Sequence, residues 1–356
     1  MPLIDNQPET GKHPHIKLSQ MDSNVWTCLF QQRNLPLCDN STNTVVRDFA
    51  LQSLAAFPNS SIILTKGDLP SNSFRYFHLC EGVRPDLTVF DQEVLTYPWS
   101  LPMTRKFYPA IHFPGGFLHL KKRVSSNGEK SFTFLDLINA NYHRPLFACI
   151  GVQEYESSWK KGYDLWPYSV CWRFKKKVET LAIGQWSEET EHLADSWHYA
   201  QNSFEPGSWE SVANDEMWRA KTATAMFYLD IALTLPEGSK EYFELLTHSY
   251  QLLSRALKQA SYLSSTNSSD DVPGYWHRNF AIICERLVRS PVTENIKGLS
   301  SPESLPDQIS LVRLTAHHFR QFLRQDPHDP DYAKIQEAVS ALQTYLDNIS
   351  EEKPTK

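Results

Sequence analysis

Apolar residues in the first half of the chain fall into short runs separated by segments of helical length. The runs are Ile62–Leu64, Leu87–Phe90 and Leu146–Ile150, and each is bounded by Gly, Pro or charged residues. Such runs are typical of strands buried on both faces of a sheet. Because helices separate the strands, the pattern predicts a parallel sheet in a small three-layer α/β domain.

Four further segments complete this half. The spacing of Val46, Phe49, Ala50 and Leu54 predicts a helix over Thr42–Phe57. A second helix is predicted over Ser131–Asn141, before the third strand. Between Val124 and Ser131, the dipeptide Asn127-Gly128 is a strong hairpin signal. The stretch Leu165–Phe174 is predicted to add an edge strand.

From about Trp186 the period of the apolar positions becomes helical. Ser208 is the expected N-cap of a helix that reaches Leu235, and apolar positions from Tyr242 to Ala260 form one face of the next helix. A last helix is expected after Asp329, with Pro330 in its first position. Helix pairs with short connections predict a tetratricopeptide-like array of helical hairpins. The predicted fold class is therefore α/β plus all-α.

These patterns divide the chain into four regions. Residues 1–29 form a polar lead that we expect to be disordered, residues 30–185 the α/β domain, residues 186–350 the helical domain and residues 351–356 a tail. The lead lacks the apolar centre of a signal peptide. No apolar run approaches the roughly 18 residues of a membrane-spanning helix. A chain complete as given would be expected in the cytosol.

Charge and motifs exclude several classes of function. The 356 residues carry a net charge of −6, which gives no electrostatic reason to expect nucleic acid as a partner. The sequence contains no P-loop, GxGxxG, GxSxG or HExxH motif. His317 and His318 are adjacent and so point to different helix faces, and His277 has no partner four residues on, so we expect no metal site.

The sharpest polar cluster is Lys66-Gly67-Asp68 after the first strand, together with Arg84-Pro85-Asp86 before the second. At a strand end, Asp68 could accept hydrogen bonds from sugar hydroxyls or bind a cation, with Arg84 beside it. The structural interpretation, which we favour, makes Gly67 a tight turn, Asp68 a helix cap, and Arg84 and Asp86 one ion pair.

Aromatic residues are dense in one later segment. The group could stack on sugars, but core or interface packing is the commoner role of such residues and is the interpretation that we favour. Its members are Trp159, Tyr163, Trp166, Tyr168 and Trp172.

Asparagine sequons and cysteines bear on the compartment. N-x-S/T sequons at Asn40, Asn59, Asn267 and Asn348 are a mild indication of a secretory lumen. The six cysteines include no C-x-x-C pair, and their number suits either a reduced protein or one with one or two disulfides.

Several segments resemble one family in the same order and with similar spacing, from near Phe30 to about Tyr345. They include SIILTKGDLPSNSFRYFHLCEGVRPDLTVFDQEVLTYPW, FACIGVQE, FEPGSWESVANDEMWRA, YWHRNFAIICERL and HHFRQFLRQDPHDPDYAKI. The family is that of the animal endoplasmic-reticulum protein O-mannosyltransferases that act on the IPT domains of plexins and related receptors. These are multi-spanning membrane proteins, and this chain resembles their soluble C-terminal portion.

The resemblance implies a luminal location, dolichol-phosphate-mannose as donor for the full-length family, and no further cofactor in this chain. The family's catalytic acidic residue lies between membrane helices that have no counterpart here, so the resemblance assigns no catalytic residue. A luminal location would make the four sequons accessible to N-glycosylation and would permit disulfides. The resemblance makes Cys149–Cys171 the first choice of disulfide pairing. Asp68, Arg75, Arg84 and Asp86 become candidates for holding donor or acceptor.

Three hypotheses follow. The first is a non-catalytic luminal portion of a mannosyltransferase, which packs against the membrane-embedded catalytic region and binds the folded IPT domain or supports the structure. The alternative is a helical-repeat protein-binding scaffold without enzymatic activity. An independent α/β enzyme that uses the Gly67-Asp68 loop ranks last, because no nucleophile–base pair is evident near that loop.

Overall fold

The computed structural model describes residues 42–119, 123–124, 128–152, 156–177, 183–193, 204–263, 272–290 and 305–351. The chain divides into two compact units, Met1–Thr44 and Val45–Lys356. The second unit holds the elements described below. The predicted borders at 29/30 and 185/186 stay predictions.

Two sheets lie in the described part of the second unit. Their strands are β1 (Ile62–Thr65), β2 (Thr88–Asp91), β3 (Phe117–Leu118), β4 (Ser131–Phe132), β5 (Leu146–Cys149), β6 (Tyr163–Tyr168) and β7 (Cys171–Lys176). The larger sheet has the order β2-β1-β5-β7-β6, and β3 pairs with β4 in the smaller one. β1 pairs in parallel with β2 and β5, whereas β7 is antiparallel to both β5 and β6. The larger sheet is therefore mixed.

Helices cover both faces of the larger sheet and make up the rest of the unit. They are α1 (Val45–Ala56), α2 (Asp68–Arg75), α3 (Leu101–Phe107), α4 (Phe134–Asn141), α5 (Ile183–Thr190), α6 (Trp209–Ala232), α7 (Lys240–Leu263), α8 (Gly274–Arg289), α9 (Gln308–Gln325) and α10 (Tyr332–Glu351). A π-helical turn, Tyr76–Cys80, continues α2.

The parallel strands are buried on both faces, as their continuous apolar sequences predict. Ile63, Val89 and Phe147 share a core with residues of α1, α2 and α6. On the other face, Ile62, Leu64 and Phe90 pack with α3 and α4, among other residues. The result is a three-layer arrangement in which the sheet lies between helices.

Helices α6 to α10 form the helical part, and each contacts the next along the chain. Ser208 caps α6 as expected, because its hydroxyl accepts the N–H of Ser211 at 3.2 Å. Trp166 of β6 and Trp186 of α5 share a core with α6, α7 and α8. The sheet and the helices are thus packed together. The tetratricopeptide-like character stays a prediction.

Some predicted elements differ from the structure in their bounds or number of strands. The helix expected over Ser131–Asn141 begins only at Phe134, because Thr133 and Asp136 form a capping box there. The preceding Ser131–Phe132 is a strand. The edge strand expected over Leu165–Phe174 is a hairpin of two strands.

The last helix begins at Tyr332 and not at Pro330. The Asp329 side chain accepts the N–H of Asp331 at 2.8 Å, and the Asp329 carbonyl accepts the N–H of Tyr332 at 3.0 Å. These bonds form a turn that contains Pro330 ahead of the helix.

Candidate functional site

The carboxyl edge of the parallel strands is where ligands of open α/β sheets usually bind. The strand order reverses there between β1 and β5, since β2 lies on one side of β1 and β5 on the other. The loops that follow these strands contain Gly67 and Gly151 at φ +78° and +84°. Ile150 also has a positive φ, +54°, which is strained for a β-branched residue.

A polar network closes this edge between β1, α2 and β2. The Ser71 hydroxyl lies 2.6 Å from Asp91 Oδ2 and 3.0 Å from Thr65 Oγ1. The other oxygen of Asp91 accepts the N–H of Glu93 at 2.7 Å. Both carboxylate oxygens therefore have partners within the fold, and Asp91 fixes the start of α2 against the end of β2.

Gln92 reinforces the same edge from inside. Its side chain is fully buried, and its amide nitrogen donates to the carbonyl of Gly151 at 3.0 Å and to that of Leu64 at 3.4 Å. These bonds tie the loops after β2 and β5 together. Asp91 and Gln92, beside the point where the strand order reverses, thus hold the surrounding loops in place.

The structure does not bring the four sequence-predicted residues into one site. Asp68 follows β1, whereas Arg84 and Asp86 precede β2, and the two strands pair in parallel. Asp68 and Asp86 therefore lie at opposite edges of the sheet, separated by at least the roughly 10 Å length of a four-residue strand. Arg75 lies at the other end of α2 from Asp68 and donates through Nε to the Ser71 carbonyl at 2.6 Å.

Asp68 is exposed in the first turn of α2. Gly67 occupies the N-cap position with a positive φ, as the structural interpretation expected, but no side chain caps this helix. The prediction that Asp68 is the cap is therefore wrong, because the helix begins at Asp68 itself. The carboxylate still complements the positive end of the helix dipole.

Arg84 and Asp86 form the expected ion pair. Nε and Nη2 of Arg84 each lie 2.9 Å from one Asp86 oxygen. Nη1 of Arg84 donates to the carbonyls of Leu54 and Phe57 at 3.0 and 2.9 Å, at the end of α1. The Arg84 guanidinium holds the pKa of Asp86 well below its usual range. Together these contacts give the pair a structural role.

Glu156 is a buried carboxyl that the sequence analysis missed. Its side chain is 1% exposed, and neither oxygen makes a hydrogen bond of standard geometry to the described residues. Burial raises its pKa, an effect that nearby Ser158 and the N–H of Phe134 oppose. The sequence signal is only that Glu156 follows a buried strand, and its place beside the start of α4 depends on the tertiary fold.

The aromatic group packs inside the protein. Tyr163, Trp166 and Tyr168 are buried at 1%, 6% and 5% exposure, which confirms core packing for these three. Trp159 lies against the core that includes Phe174, at a ring distance of 5.8 Å. Trp172 is half-buried in β7.

The structure joins Cys149 of β5 to Cys171 of β7 in a disulfide, with the Cα atoms 4.2 Å apart. These residues face each other in the antiparallel ladder. Asn59 is exposed in a turn, and Asn348 is exposed on α10. Asn40 and Asn267 lie outside the described residues. Use of each sequon stays a prediction.

Two histidines that the sequence analysis considered separately are in contact. Nδ1 of His277 in α8 lies 2.8 Å from Nδ1 of His318 in α9, with the rings stacked. The two histidines meet at the interface between α8 and α9. They are 41 positions apart in the sequence, so the sequence alone does not reveal the contact. Across the described ranges, no group of three or more His, Cys, Asp or Glu side chains is arranged to hold a metal ion.

The exposed face of α9 is basic. Arg313, His317, Arg320 and Arg324 follow one another at helical spacing, and all four are exposed. We call these four residues the α9 basic stripe. Burial and then the charges of Arg320 and Arg324 lower the pKa of His317, so the three arginines carry the positive charge of the stripe near neutral pH. An open groove of about 440 Å³ separates part of the stripe from Tyr332, Gln336 and Val339 of α10.

Comparison with known proteins places these features in context. Over 316 residues the chain is 35% identical to the Mus musculus protein named Protein O-mannosyl-transferase TMEM260, with 89% of this chain and 42% of the mouse protein aligned. Over 318 residues it is 22% identical to Protein O-mannosyl-transferase tmem260 of Dictyostelium discoideum, with 87% of this chain and 36% of that protein aligned. The chain is homologous to these protein O-mannosyl-transferases.

The homology supports the mannosyltransferase relationship that the sequence analysis named. The chain spans less than half the length of the curated relatives that it matches. No family model and no solved structure matches the chain. Of the helices in the described ranges, none has both the length and the apolar character required to traverse a lipid bilayer.

Proposed function

We propose that this chain is the acceptor-binding portion of a protein O-mannosyltransferase and does not transfer mannose by itself. The homology, which covers 89% of this chain, supports the enzyme class. Under this proposal a membrane-embedded catalytic region of the full-length protein supplies the chemistry on the luminal side of the endoplasmic reticulum. Dolichol-phosphate-mannose is the proposed sugar donor.

The carboxyl edge of the sheet supports a role without chemistry for the chain alone. Asp91, the last residue of β2, and Gln92, which follows it, make hydrogen bonds that hold the surrounding loops. The Arg84–Asp86 pair lies at the opposite edge and caps α1. We therefore keep contact with donor or acceptor as a proposal for Asp68 and Arg75. The contacts of Arg84 and Asp86 are better explained by a role in the stability of the fold.

The α9 basic stripe is the observation that carries the acceptor-binding role. Its four members extend over twelve positions of α9, from Arg313 to Arg324, which corresponds to about 16 Å along the helix axis. Exposed arginines steer and orient an acidic partner. We propose that the stripe and the adjoining α9–α10 groove contact an acidic face of a folded IPT domain of a plexin-type receptor.

Binding of the purified chain to a folded IPT domain tests this proposal. We expect saturable binding that weakens at least about fivefold in Arg313→Glu/Arg320→Glu, because each reversal replaces attraction by repulsion. Lys334→Glu is the matched control, since Lys334 is exposed on α10 and lies outside the stripe. The thermal unfolding of each variant must match that of the parent chain.

Two results would overturn the proposal. If the chain does not bind the folded domain, or if the control weakens binding as much as the stripe variant, the acceptor-binding role fails. A general protein-binding scaffold would instead capture unrelated folded domains equally well. Transfer of mannose from dolichol-phosphate-mannose by the purified chain alone would contradict the non-catalytic part.

A further inference from the structure

Helix α3 and the turn before it expose an unusual set of large apolar side chains. Trp99, Phe107, Met103 and Tyr97 are 73%, 71%, 60% and 40% exposed. Met103 and Phe107 are four residues apart and so lie on one side of the helix, and Trp99 is exposed in the turn that precedes it. The opposite side is anchored, because Leu101 is fully buried in the sheet core. Contiguous exposed apolar surface of this kind marks a contact site.

The fold restrains two aromatic rings of this surface. Tyr97 and Trp99 are stacked with their centroids 5.8 Å apart. The Tyr97 hydroxyl donates to Glu93 Oε1 at 3.0 Å, and the N–H of Ser100 donates to the Tyr97 carbonyl at 3.1 Å. These contacts restrain the Tyr97 and Trp99 rings, which reduces the entropic cost of binding.

Two cations adjoin the apolar side chains. Arg105 and Lys106 lie in the last turn of α3 and are exposed. Arg105 Nη2 donates to the carbonyl of Gly115 at 2.7 Å, so the guanidinium stays close to the surface of the protein. Two carboxylates lie near the Tyr97 end of this surface, and both have hydrogen-bond partners in the protein. Glu93 accepts from the Tyr97 hydroxyl, and Asp91 accepts from the Ser71 hydroxyl.

We propose that the α3 patch, defined as Tyr97, Trp99, Met103, Phe107, Arg105 and Lys106, rests on the headgroup layer of a lipid bilayer that contains anionic lipid. Trp and Tyr favour the membrane–water interface, and apolar side chains beside Lys and Arg are the pattern of interfacial helices. The cations complement lipid phosphates and carboxylates.

The composition of the patch favours a membrane over a protein partner. With 150 to 250 Å² per large side chain, the four apolar residues expose on the order of 500 Å². This is close to the apolar share of a standard protein interface, about 57% of roughly 800 Å² on each partner, so area does not separate the two occupants. Lys is depleted in protein interfaces, whereas exposed aromatic rings beside Lys and Arg are typical of weak, reversible membrane attachment.

Vesicle flotation with the full chain tests the proposal. We expect the chain to float with vesicles of phosphatidylcholine and phosphatidylserine (7:3) and to float less with phosphatidylcholine alone. Trp99→Ala/Phe107→Ala should lower the bound fraction at least about fivefold on both vesicles. Arg105→Gln/Lys106→Gln should abolish the difference between the two vesicles. Trp209→Ala is the matched control, because Trp209 is 51% exposed at the start of α6.

A second readout locates the contact. Lipids brominated in the upper acyl chain should quench tryptophan fluorescence of the parent chain, and this quenching should disappear in Trp99→Ala. Failure of the parent chain to float, or an equal loss in Trp209→Ala, would overturn the proposal. Self-association that Trp99→Ala abolishes, without any flotation, would assign the patch to a second copy of the chain. None of these results depends on acceptor binding.

Discussion

At the scale of single residues, Arg84 illustrates how a residue that suggests ligand binding serves the fold. Its guanidinium connects the end of α1 to the start of β2 through two carbonyls and a carboxylate. These partners lie up to 30 positions away in the chain, so the sequence could suggest the local Arg84–Asp86 pair but not the contact with α1.

Replacement of Arg84 by Ala should lower the free energy of unfolding by about 2 to 4 kcal/mol. The variant leaves the Leu54 and Phe57 carbonyls and the Asp86 carboxylate without their donor. Urea denaturation measures the change. Arg313→Ala, which removes an exposed arginine, should change stability by less than about 0.5 kcal/mol. Equal effects of the two changes would contradict the structural role.

Asp86 also predicts a pH dependence of stability. Its folded-state pKa is held below the unfolded value of about 3.9, so the pair contributes stability above that pH and loses it as the pH falls further. The difference in unfolding free energy between the parent chain and Asp86→Asn should therefore shrink below about pH 4. Glu337→Gln, at an exposed position of α10, should show no such trend. A constant difference would contradict this account.

A buried histidine, His318, predicts a second pH dependence of stability, which extends to higher pH than that of Asp86. Burial, followed by the charges of His277 and His317, lowers the pKa of His318 to about 3. An unfolded histidine titrates near 6.5, so the neutral ring stabilises the fold above that pH, and this contribution is lost as the pH falls towards 3. We expect His318→Phe to lose less stability between pH 6.5 and 4 than the parent chain. His328→Gln, at an exposed position, should retain the parent's slope.

At the scale of elements, the disulfide links a parallel strand to the antiparallel hairpin. Cys149 and Cys171 are 22 positions apart, and a closed loop of this length stabilises a fold by about 3 kcal/mol. Cys149→Ser/Cys171→Ser should lower the unfolding free energy by that amount, whereas Cys80→Ser, which removes an exposed thiol, should not. Mass spectrometry of unreduced peptides checks the pairing, and two free thiols at these positions would contradict it.

Elements marked by a continuous apolar run or by a known cap residue are predictable from the sequence, whereas the bounds of the β6–β7 hairpin and of α4 are not. The strands around Ile63, Val89 and Phe147 were found because continuous burial requires continuous apolar sequence. The sequence predicts one strand where the structure has the β6–β7 hairpin, because the turn contains Ser169 at φ +56° and no Gly or Asn signal. The start of α4 depends on a capping box that competes with the helical pattern.

The candidate site was less predictable than the fold. The predicted parallel sheet already implies opposite edges for Asp68, which follows β1, and Asp86, which precedes β2. Which strand ends are neighbours depends on the sheet order, which is a tertiary property. The helical spacing of the four residues of the α9 basic stripe is visible in the sequence. Its significance depends on which face of the helix α8 and α10 leave exposed, which is a tertiary property.

At the scale of the whole molecule, the sheet and the helices share cores. Trp166 and Trp186 pack edge to face at 5.4 Å, and the indole N–H of Trp186 donates to the Pro167 carbonyl at 2.9 Å. Ala213 and Met217 of α6 meanwhile lie in the core above the parallel strands. This shared packing supports a fixed spatial relation between the sheet, with its α3 patch, and the long helices that continue to the α9 basic stripe.

Hydrogen–deuterium exchange of the chain with and without a folded IPT domain tests the acceptor-binding claim most directly. We predict slower exchange in Gln308–Gln325 and Tyr332–Glu351 when the acceptor is present, and no change in β1, β2 and β5. The Arg313→Glu/Arg320→Glu variant should lose this protection. Unchanged exchange in both helices at saturating acceptor, or protection confined to the sheet, would contradict the account.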